Sequence, residues 1–324
     1  MQQIRWGILG CGDVTEVKSG PGFQKAAGSQ LVAVMRRNAA LAEDYALRHG
    51  VPRWYADAQA LINDPEVDAV YVATPPGSHH ELALQCAAAG KPCYVEKPMA
   101  LNQAQSRAMC EAFAAKGVPL FVAYYRRAMP RFQKIRELVL DGAVGAVRYV
   151  NLALHQPMPA EDANAATQPW RVDPALAGGG RFVDMGSHQL DYLDYLFGPI
   201  TEVHGQSACQ SGAYAVEDTV TASFRFANGV LGSGAWCFAA GDQLDHCEIV
   251  GDKGRLAFAT FNDFSVNLIT AAGVEQFTIP NPDHVQQPLV QMVVDALLGR
   301  GECPSTGESA ARTDWVIDQI LNRS

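Results

Sequence analysis

The sequence lacks several features that mark special classes of protein. No apolar run approaches the roughly 18 residues that a membrane-spanning helix needs. The eight cysteines contain no C-x-x-C pair, and no set of Cys, His and acidic residues has metal-ligand spacing, so neither a disulfide framework nor a metal site is expected. Basic residues are also few. With 25 Lys and Arg against 34 Asp and Glu, the formal net charge is −9, which argues against nucleic-acid or anionic-membrane partners.

Length and composition are those of an ordinary soluble protein with more than one domain. At 324 residues, the chain exceeds the size at which a single core usually keeps growing, so two domains are expected. The N-terminus enters a strand-like run without a basic stretch followed by an apolar segment and a cleavage site. The cysteines fall mostly in apolar contexts, as reduced thiols do. We therefore expect a cytoplasmic protein.

The first third of the chain alternates strand-like and helix-like segments. Helix-like patterns are each closed by a glycine, which favours the left-handed end of a helix. The strands are indicated at 4–9, 31–35, 67–74, 93–96 and 120–124, and the helices at 39–49, 78–89 and 102–116. Such alternation predicts right-handed crossovers and a parallel sheet covered on both faces. We predict an α/β domain over residues 1–122.

After residue 122 the pattern changes. A stretch rich in Pro, Ala and Gly at 157–183 has the length of a functional loop or lid, and a helix is indicated at 184–197. Strand-like runs joined by short turns then follow at 202–209, 216–227, 230–238, 244–250, 255–261, 265–270 and 274–280. We predict an α+β domain over 123–324 with a large, mostly antiparallel open sheet. Its last two helices, at 288–298 and 308–321, are candidates for packing back on the first domain.

The first strand runs into a glycine motif, Gly10-Cys11-Gly12-Asp13-Val14. Gly10 and Gly12 stand where a dinucleotide-binding turn needs a tight bend and a close approach of the backbone to the pyrophosphate. Thr15 occupies the usual third glycine or alanine position. An ordinary strand-to-helix turn is the alternative. The position after an N-terminal strand favours a Rossmann dinucleotide site that includes Asp13 and Val14.

The end of the second strand bears on the identity of the dinucleotide. NAD sites usually place an acidic residue there for the ribose 2′-hydroxyl, but this strand ends in Arg36-Arg37-Asn38. An arginine can bind a 2′-phosphate that a carboxylate would repel. NADP(H) is therefore favoured. NAD(H) remains open, with Asn38 serving the ribose hydroxyl, and the two arginines can also be read as a solvated basic pair.

Three ionisable residues suggest proton transfer. Asp184 and His188 stand four apart, so on a helix they share one face. Lys97 lies in the short segment Glu96-Lys97-Pro98. A carboxylate that orients an imidazole, together with a lysine, can move a proton on and off a hydroxyl. Because a desolvated lysine can itself act as a base, either Lys97 or His188 could exchange the proton.

Taken together, these motifs resemble those of the Gfo/Idh/MocA family of oxidoreductases, which includes glucose–fructose oxidoreductase, inositol dehydrogenases and dihydrodiol dehydrogenases. The resemblance covers nearly the whole chain, and the order and spacing of its short motifs make it specific. They are Gly10-x-Gly12, Ala73-Thr74-Pro75-Pro76 with His79, Gly90-Lys91-Pro92 before Glu96-Lys97-Pro98, Arg127-x-x-Pro130, and Gly178-Gly179-Gly180 followed by Asp184, His188 and Asp191.

The resemblance implies roles for individual residues. Thr74, Pro75 and His79 would border the nicotinamide half of the cofactor, and Glu96 and Lys97 would lie beneath it. His188 would be the general acid/base and Lys97 would polarise the reacting oxygen, while Asp184 would orient His188 or accept a hydrogen bond from substrate. A further set would reach the substrate or shape its pocket: Trp170, Arg171 and Tyr125. Tyr125 departs from the asparagine-containing segment of many relatives, and aromatic packing is an equal reading of it.

The family implies an NAD(P)-dependent enzyme that interconverts a hydroxyl and a carbonyl on a sugar, polyol or cyclic diol by hydride transfer. Two other functions stay open: a cofactor-sensing regulator without turnover, and a glycosidase that holds its nicotinamide cofactor tightly. In relatives the open sheet commonly forms a subunit interface, so a homodimer or homotetramer is expected.

Overall fold

The computed structural model describes residues 2–164, 166 and 168–323. The chain forms two compact units, which are described separately. One comprises Met1–Met129 with Pro282–Ala311, and the other comprises Pro130–Asn281 with Arg312–Ser324. The sequence predicts a boundary at residue 122, with the last two helices as candidates for packing back on the first domain. In the structure the first unit extends to Met129 and includes Pro282–Ala311.

The first unit alternates strands and helices. Its strands are β1 (Ile4–Leu9), β2 (Ser29–Met35), β3 (Arg53–Tyr55), β4 (Ala69–Val72), β5 (Cys93–Val95) and β6 (Leu120–Val122). Its helices are α1 (Asp13–Val17), α2 (Gly20–Lys25), α3 (Ala39–His49), α4 (Ala58–Ile62), α5 (His79–Ala88), α6 (Gln103–Lys116) and, from the C-terminal segment, α10 (Gln287–Leu297). Helix α11 (Gly307–Ile320) begins in this unit.

The six strands form one parallel sheet in the order β3-β2-β1-β4-β5-β6. Buried residues fill both of its faces, because side chains alternate along each strand. Val70 and Val72 of β4 belong to one core with Phe113, whereas Tyr71 belongs to the other with Phe23. This is the Rossmann-like fold that the sequence predicts, and its functional loops leave the carboxyl ends of the strands.

The second unit is an α+β structure. Its helices are α7 (Pro130–Leu140), α8 (Pro174–Ala177) and α9 (Arg181–Phe197). Its strands are β7 (Val147–His155), β8 (Ile200–Ala208), β9 (Thr219–Phe226), β10 (Leu231–Cys237), β11 (Leu244–Gly251), β12 (Gly254–Phe258), β13 (Ser265–Thr270) and β14 (Gly273–Thr278). They form an eight-stranded sheet in the order β14-β13-β12-β11-β7-β10-β9-β8. All neighbours are antiparallel except β7 and β10, so the predicted mostly antiparallel sheet is confirmed.

One face of this sheet packs against α9. Phe182 of the helix lies edge-on to Trp236 of β10, with ring centroids 4.9 Å apart. The helix begins at Arg181 rather than at residue 184, and the preceding stretch contains α8 and a 3-10 turn at Trp170–Val172. The segment predicted as a long loop is therefore partly helical. Among the described residues, no helix is both long enough and apolar enough to cross a lipid bilayer.

Candidate functional site

The glycine turn after β1 is held against the end of β2. The backbone N–H groups of Gly10 and Cys11 both donate to the carbonyl of Met35, at 2.8 and 3.1 Å. Gly10 has a φ of +89°, and a Cβ at this position would lie 2.6 Å from Cγ2 of Thr74. The bend therefore needs glycine for the protein's own packing, as the motif predicts.

Gly12 differs from Gly10 because the protein leaves space beside it. A Cβ at Gly12 would have only one protein atom within 4 Å, the Gly10 carbonyl oxygen at 3.9 Å. The turn is closed by Thr15, whose hydroxyl accepts from the Gly12 N–H at 3.0 Å and donates to the Gly12 carbonyl at 2.7 Å. Thr15 thus fixes the turn from the third motif position. The open backbone at Gly12, with Asp13 and Val14 following on α1, fits the close approach of a dinucleotide pyrophosphate.

The basic pair after β2 is exposed, as is Asn38. Burial raises the pKa of the Cys11 thiol to about 11, and the positive charge of Arg36 partly opposes this shift. Arg37 is exposed beside it. The side-chain oxygen of Asn38 accepts from the Leu41 N–H at 3.2 Å and so caps α3. That oxygen is already used within the protein.

The buried His79 ring connects the turn that contains Thr74 with the turn that contains Pro98. One ring nitrogen lies 2.7 Å from the Thr74 carbonyl oxygen and the other 3.0 Å from the Pro98 carbonyl oxygen, and the side chain is fully buried. Burial lowers the pKa of His79 to about 4, although the facing carbonyls oppose the shift. The ring is neutral at neutral pH and supports these turns, while Thr74 and the exposed Pro75 have surface available to a ligand.

Glu96 and Lys97 directly follow β5. The Glu96 N–H donates to the Val72 carbonyl at 2.9 Å, and its carboxylate, which is only 7% exposed, accepts hydrogen bonds from the hydroxyl of Tyr71 and the amide of Gln286. Burial raises the pKa of Tyr71 well above its usual value, so its hydroxyl stays protonated and donates. Lys97 is half-buried and precedes a cis peptide bond to Pro98.

Tyr125 belongs to the same unit and lies in a 3-10 turn, Tyr125–Ala128, that follows β6. The guanidinium carbon of Arg126 lies 5.1 Å from the centre of the Tyr125 ring, a cation–π arrangement. Tyr125 is partly exposed, whereas Arg126 is buried. The aromatic-packing reading of Tyr125 is thus visible in the structure, and its remaining exposed surface is compatible with ligand contact.

In the second unit, the start of α9 is fixed by a buried glutamate. The Gly180 N–H donates to the Glu217 carboxylate at 2.8 Å, and burial raises the pKa of Glu217. A Cβ at Gly180 would overlap the backbone oxygen of Glu217. The next residue, Arg181, forms an ion pair with the buried Asp162. This geometry explains why glycine precedes the helix that carries Asp184 and His188.

Asp184 lies in the first turn of α9 and faces the preceding 3-10 turn. Its carboxylate is 3.4 Å from the Arg171 guanidinium, which in turn lies 4.5 Å above the Trp170 ring. The Arg171 and Asp184 side chains are 42% and 25% exposed, so both retain surface for a ligand. The structure therefore brings together three of the four residues that the sequence suggests for substrate contact in this unit.

His188 is supported by residues that the sequence does not point to. Its ring lies edge-on to Phe261, with centroids 6.1 Å apart, and only 5% of His188 is exposed. The neighbouring Gln189 donates to the Thr260 hydroxyl at 3.1 Å and accepts from the Trp236 indole at 2.6 Å. This buried chain connects the helix, strand β10 and the turn that presents Phe261.

The turn that carries Phe261 has its own anchor. Asp245 accepts hydrogen bonds from three consecutive backbone N–H groups, those of Thr260, Phe261 and Asn262. None of these residues belongs to a recognisable motif, and the contacts link positions 15 to 71 residues apart in sequence.

Among residues 2–164, 166 and 168–323, no cluster of three or more Cys, His, Asp or Glu is arranged to hold a metal ion.

The candidate residues of the first unit suit the binding of a dinucleotide, and those of the second unit suit the binding of a polar small molecule. The first unit offers an open glycine turn, exposed arginines and a loop with Glu96 and Lys97, which suits a dinucleotide. The second unit offers a partly exposed carboxylate and guanidinium, and on the same helix as the carboxylate a buried imidazole, which suits a polar small molecule.

Comparison with known proteins identifies the class. Residues 4–124 match the family model described as "Oxidoreductase family, NAD-binding Rossmann fold". Residues 132–257 match the model described as "GFO/IDH/MocA C-terminal domain". The chain is an oxidoreductase with an NAD-binding Rossmann domain. It is 37% identical over 316 residues to oxidoreductase P35 of Formosa agariphila, with 98% of each chain covered. It belongs to the Gfo/Idh/MocA family, as the resemblance of its motifs predicts.

The chain is also similar to a dihydrodiol dehydrogenase in sequence and to an aldose-aldose oxidoreductase in structure. The chain is 31% identical over 226 residues to trans-1,2-dihydrobenzene-1,2-diol dehydrogenase of Oryctolagus cuniculus, which covers 69% of this chain and 66% of that relative. The crystal structure of an aldose-aldose oxidoreductase from Caulobacter crescentus, complexed with glycerol, superposes with a TM-score of 0.87 at 25% identity, covering 99% of this chain and 97% of that one.

Proposed function

We propose that this oxidoreductase interconverts a hydroxyl and a carbonyl on a small polyhydroxylated molecule: a sugar, a polyol or a cyclic diol. The observation that carries the proposal is the combination, in one chain, of an NAD-binding unit bearing Lys97 and a second unit whose helix α9 bears Asp184 and His188. The names of its relatives support the substrate class, since one acts on a dihydrodiol and another is an aldose-aldose oxidoreductase.

The residues of the first unit would hold the cofactor. Gly10 and Gly12, with Asp13 and Val14, would hold the pyrophosphate. Thr74, Pro75, Glu96 and Lys97 would hold the nicotinamide half, supported by His79. When bound, the nicotinamide accepts or supplies the hydride. The remaining requirement, proton movement at the substrate oxygen, falls to side chains of this chain.

In the oxidative direction, the substrate hydroxyl must lose its proton as its carbon becomes a carbonyl. His188 takes this proton, because an imidazole titrates near neutral pH. Lys97 donates a hydrogen bond to the oxygen and stabilises its growing negative charge. Asp184 orients the substrate or His188. The reverse direction uses the same groups, with His188 as the acid. Lys97 as the proton-transferring group is the alternative.

The substrate itself would be held by Trp170, Arg171 and Tyr125. Arg171 has donors for hydroxyl groups, and the aromatic faces can pack on the carbon–hydrogen face of a ring. For the cofactor, we favour NADP(H) over NAD(H). The exposed Arg36 and Arg37 directly follow Met35, to which the glycine turn is bonded, and the Asn38 side-chain oxygen already caps α3.

Cofactor choice is tested by measuring the dissociation constants of NADH and NADPH for the wild type and for Arg36→Ala. We expect the substitution to weaken NADPH binding by about tenfold, equivalent to roughly 1.4 kcal/mol, and to leave NADH binding nearly unchanged. Unchanged NADPH affinity at moderate salt would contradict the preference for NADP(H).

The function is tested by nicotinamide absorbance with aldoses, inositols, anhydro-sugars and aromatic dihydrodiols, each offered with NADP⁺ and NAD⁺, and with ketones and the reduced cofactors. His188→Ala is the control. Turnover that this substitution abolishes would support the proposal and name the substrate. Tight cofactor binding without turnover would favour a cofactor-sensing regulator. Cleavage of a glycoside without net cofactor reduction would favour the glycosidase.

We also propose a cytoplasmic homodimer or homotetramer assembled through the open sheet. Tyr149 of β7 and Leu231 of β10 are paired in register and are 44% and 49% exposed, so they form an apolar patch on that face. All eight cysteines are free thiols, as the cytoplasm favours. Light scattering of the wild type and of Leu231→Glu tests the assembly. A monomeric wild type would contradict it.

A further inference from the structure

The Glu96 carboxylate lies in an apolar core that would not by itself accept a charge. The nearby side chains of Tyr71, Tyr94 and Phe23 belong to one buried cluster, and the rings of Tyr71 and Tyr94 stack with centroids 5.2 Å apart. Removing a carboxylate from water is costly unless donors replace the water. The donors to Glu96 therefore decide where this carboxylate lies.

Both hydrogen bonds described for the carboxylate end on Oε1. One comes from the Tyr71 hydroxyl and the other from the Gln286 amide, at 2.6 Å. The Gln286 amide is itself oriented, since its oxygen lies 3.4 Å from the Tyr94 hydroxyl. Tyr71 lies on β4, next to β5 in the sheet, so it is part of the local framework. Gln286 is not local, because it lies 190 residues after Glu96.

The segment around Gln286 also contacts the region after the glycine turn. The Gln286 N–H donates to the carbonyl of Lys18, at the end of α1, at 3.4 Å, and a ring nitrogen of His284 lies 2.7 Å from the Val17 carbonyl oxygen. One short segment therefore contacts both the helix after the glycine turn and the carboxylate that precedes Lys97.

A glutamine at this place is not explained by packing. Only 1% of Gln286 is exposed, and an apolar side chain of the same length would fill the space without the cost of burying an amide. The hydrogen bond that the amide donates to Glu96 accounts for a glutamine at this position.

We propose that Gln286 is a positioning residue for cofactor binding. It fixes the Glu96 carboxylate, and through the adjoining peptide the start of the Lys97 side chain, so that Oε2 of Glu96 is presented to the nicotinamide half of the cofactor. This inference rests on the proposed function only in requiring that a nicotinamide cofactor bind next to Glu96. It does not require that the substrate class be right.

The test uses two substitutions at this position. Gln286→Met keeps the length of the side chain and removes the donor. Gln286→Glu keeps the shape and makes the donor depend on pH, because two carboxyl groups this close share a proton. The control is Gln291→Met on helix α10, which begins immediately after Gln286. The Gln291 amide bonds only the backbone of Ala27 and the Asp295 carboxylate, so its loss perturbs α10 without touching Glu96.

The measurements are the NADH and NADPH dissociation constants by fluorescence from pH 5 to 9, the melting temperature, and kcat and KM where a substrate is known. We expect Gln286→Met to weaken cofactor binding by about tenfold at every pH, equivalent to roughly 1.4 kcal/mol. Gln286→Glu should bind almost like the wild type at pH 5, where the shared proton lets it donate, and progressively worse as the pH rises. Gln291→Met should lower only the melting temperature.

Three results would overturn the inference. The first is unchanged cofactor affinity in Gln286→Met. The second is an equal loss of affinity in Gln286→Met and Gln291→Met, which would indicate general loosening of the unit. The third is a Gln286→Glu protein whose affinity relative to wild type does not vary with pH, a result that remains available if Gln286→Met does not fold. A wild type that binds neither cofactor would overturn both this inference and the proposed function, whereas binding without turnover would affect the proposed function alone.

Discussion

In the dinucleotide unit the candidate functional residues follow the carboxyl ends of parallel strands, whereas in the second unit Asp184 and His188 project from a single helix backed by a sheet. Gly10 and Glu96 come directly after β1 and β5, and Thr74 follows β4 by two residues, so the order of the strands places them at one edge. His188 depends instead on Gln189, Trp236 and Phe261, which come from different elements. A strand end positions a residue through the backbone, while a helix face needs support from side chains around it.

The largest expected effect comes from replacing the two candidates for proton transfer, Lys97 in the first unit and His188 in the second. We expect Lys97→Met and His188→Asn each to lower kcat by about 10²–10⁴-fold, because each removes a group that the proposed mechanism places at the reacting oxygen. Only Lys97→Met should also weaken NADH binding, since Lys97 lies in the NAD-binding unit. Steady-state kinetics and NADH titration give both values. Equal losses of NADH affinity in the two variants would remove the distinction.

A glycine from each unit gives the next test. At Gly180 a methyl group would overlap the Glu217 backbone, so we expect Gly180→Ala to lower the free energy of unfolding by about 3 kcal/mol. At Gly12 the nearest protein atom to such a methyl group is 3.9 Å away. Gly12→Ala should therefore change the free energy of unfolding by less than about 0.5 kcal/mol. Gly12→Ala should instead weaken NADH binding by about tenfold or more.

Urea unfolding and NADH titration of both proteins separate these outcomes. A Gly12→Ala protein that is as unstable as Gly180→Ala would show that the open space at Gly12 serves folding. A Gly12→Ala protein that binds NADH normally would show that the backbone there does not approach the cofactor.

The buried His79 makes the stability of the first unit depend on pH. Its pKa falls from 6.5 to about 4 on folding, so the unfolded chain takes up a proton first as the pH drops, and stability is lost from about pH 6.5 downwards. From neutral pH to pH 5 this amounts to about 2 kcal/mol. In His79→Gln the loss should be smaller by that amount, as measured by urea unfolding at both pH values. His204→Gln, at an exposed position, is the control and should match the wild type. Parallel pH profiles for wild type and His79→Gln would contradict the assignment.

Only a small effect on stability is expected at Arg171. Its ion pair with Asp184 is partly exposed, and such pairs contribute about 0–1 kcal/mol. Arg171→Ala should therefore leave the melting temperature within about 2 °C of wild type. Its KM for substrate should rise several-fold if Arg171 binds substrate. Arg225→Ala removes an exposed pair with Glu202 in the same unit and should change neither value. A normal KM in Arg171→Ala would leave this guanidinium without a substrate role.

Much of the fold could be predicted because its elements carry strong local patterns. The helix Ala39–His49 has its asparagine cap and its closing glycine in the sequence, and the strands of the second sheet alternate or end at recognisable turns. The short elements β3, α4 and α1 lack enough residues to show a period, and α2 begins with two glycines and a proline.

The candidate site could be predicted only where it is local in sequence. The glycine turn, Glu96-Lys97 and Asp184 to His188 are contiguous motifs. Gln286, Phe261 and Glu217 are ordinary residue types in ordinary segments, and their importance comes from contacts across long sequence separations, 190 residues for Gln286 and Glu96. No single-sequence pattern reports such contacts. The same reason explains why the sequence marks the last two helices only as candidates for packing on the first domain, whereas the structure places Pro282–Ala311 in the first unit.

That late segment has a consequence for how the protein is made. Because ribosomes synthesise chains from the N-terminus, the six-stranded sheet emerges early, but helix α10 and Gln286 emerge only after the whole of the second sheet. Until then the nascent first unit lacks one wall of its core, where Val290, Val293 and Val294 pack, and Glu96 lacks one of its donors. We expect cofactor binding to mature late in translation, so that a polypeptide stalled before residue 282 would carry every glycine of the nucleotide motif and still hold the dinucleotide poorly.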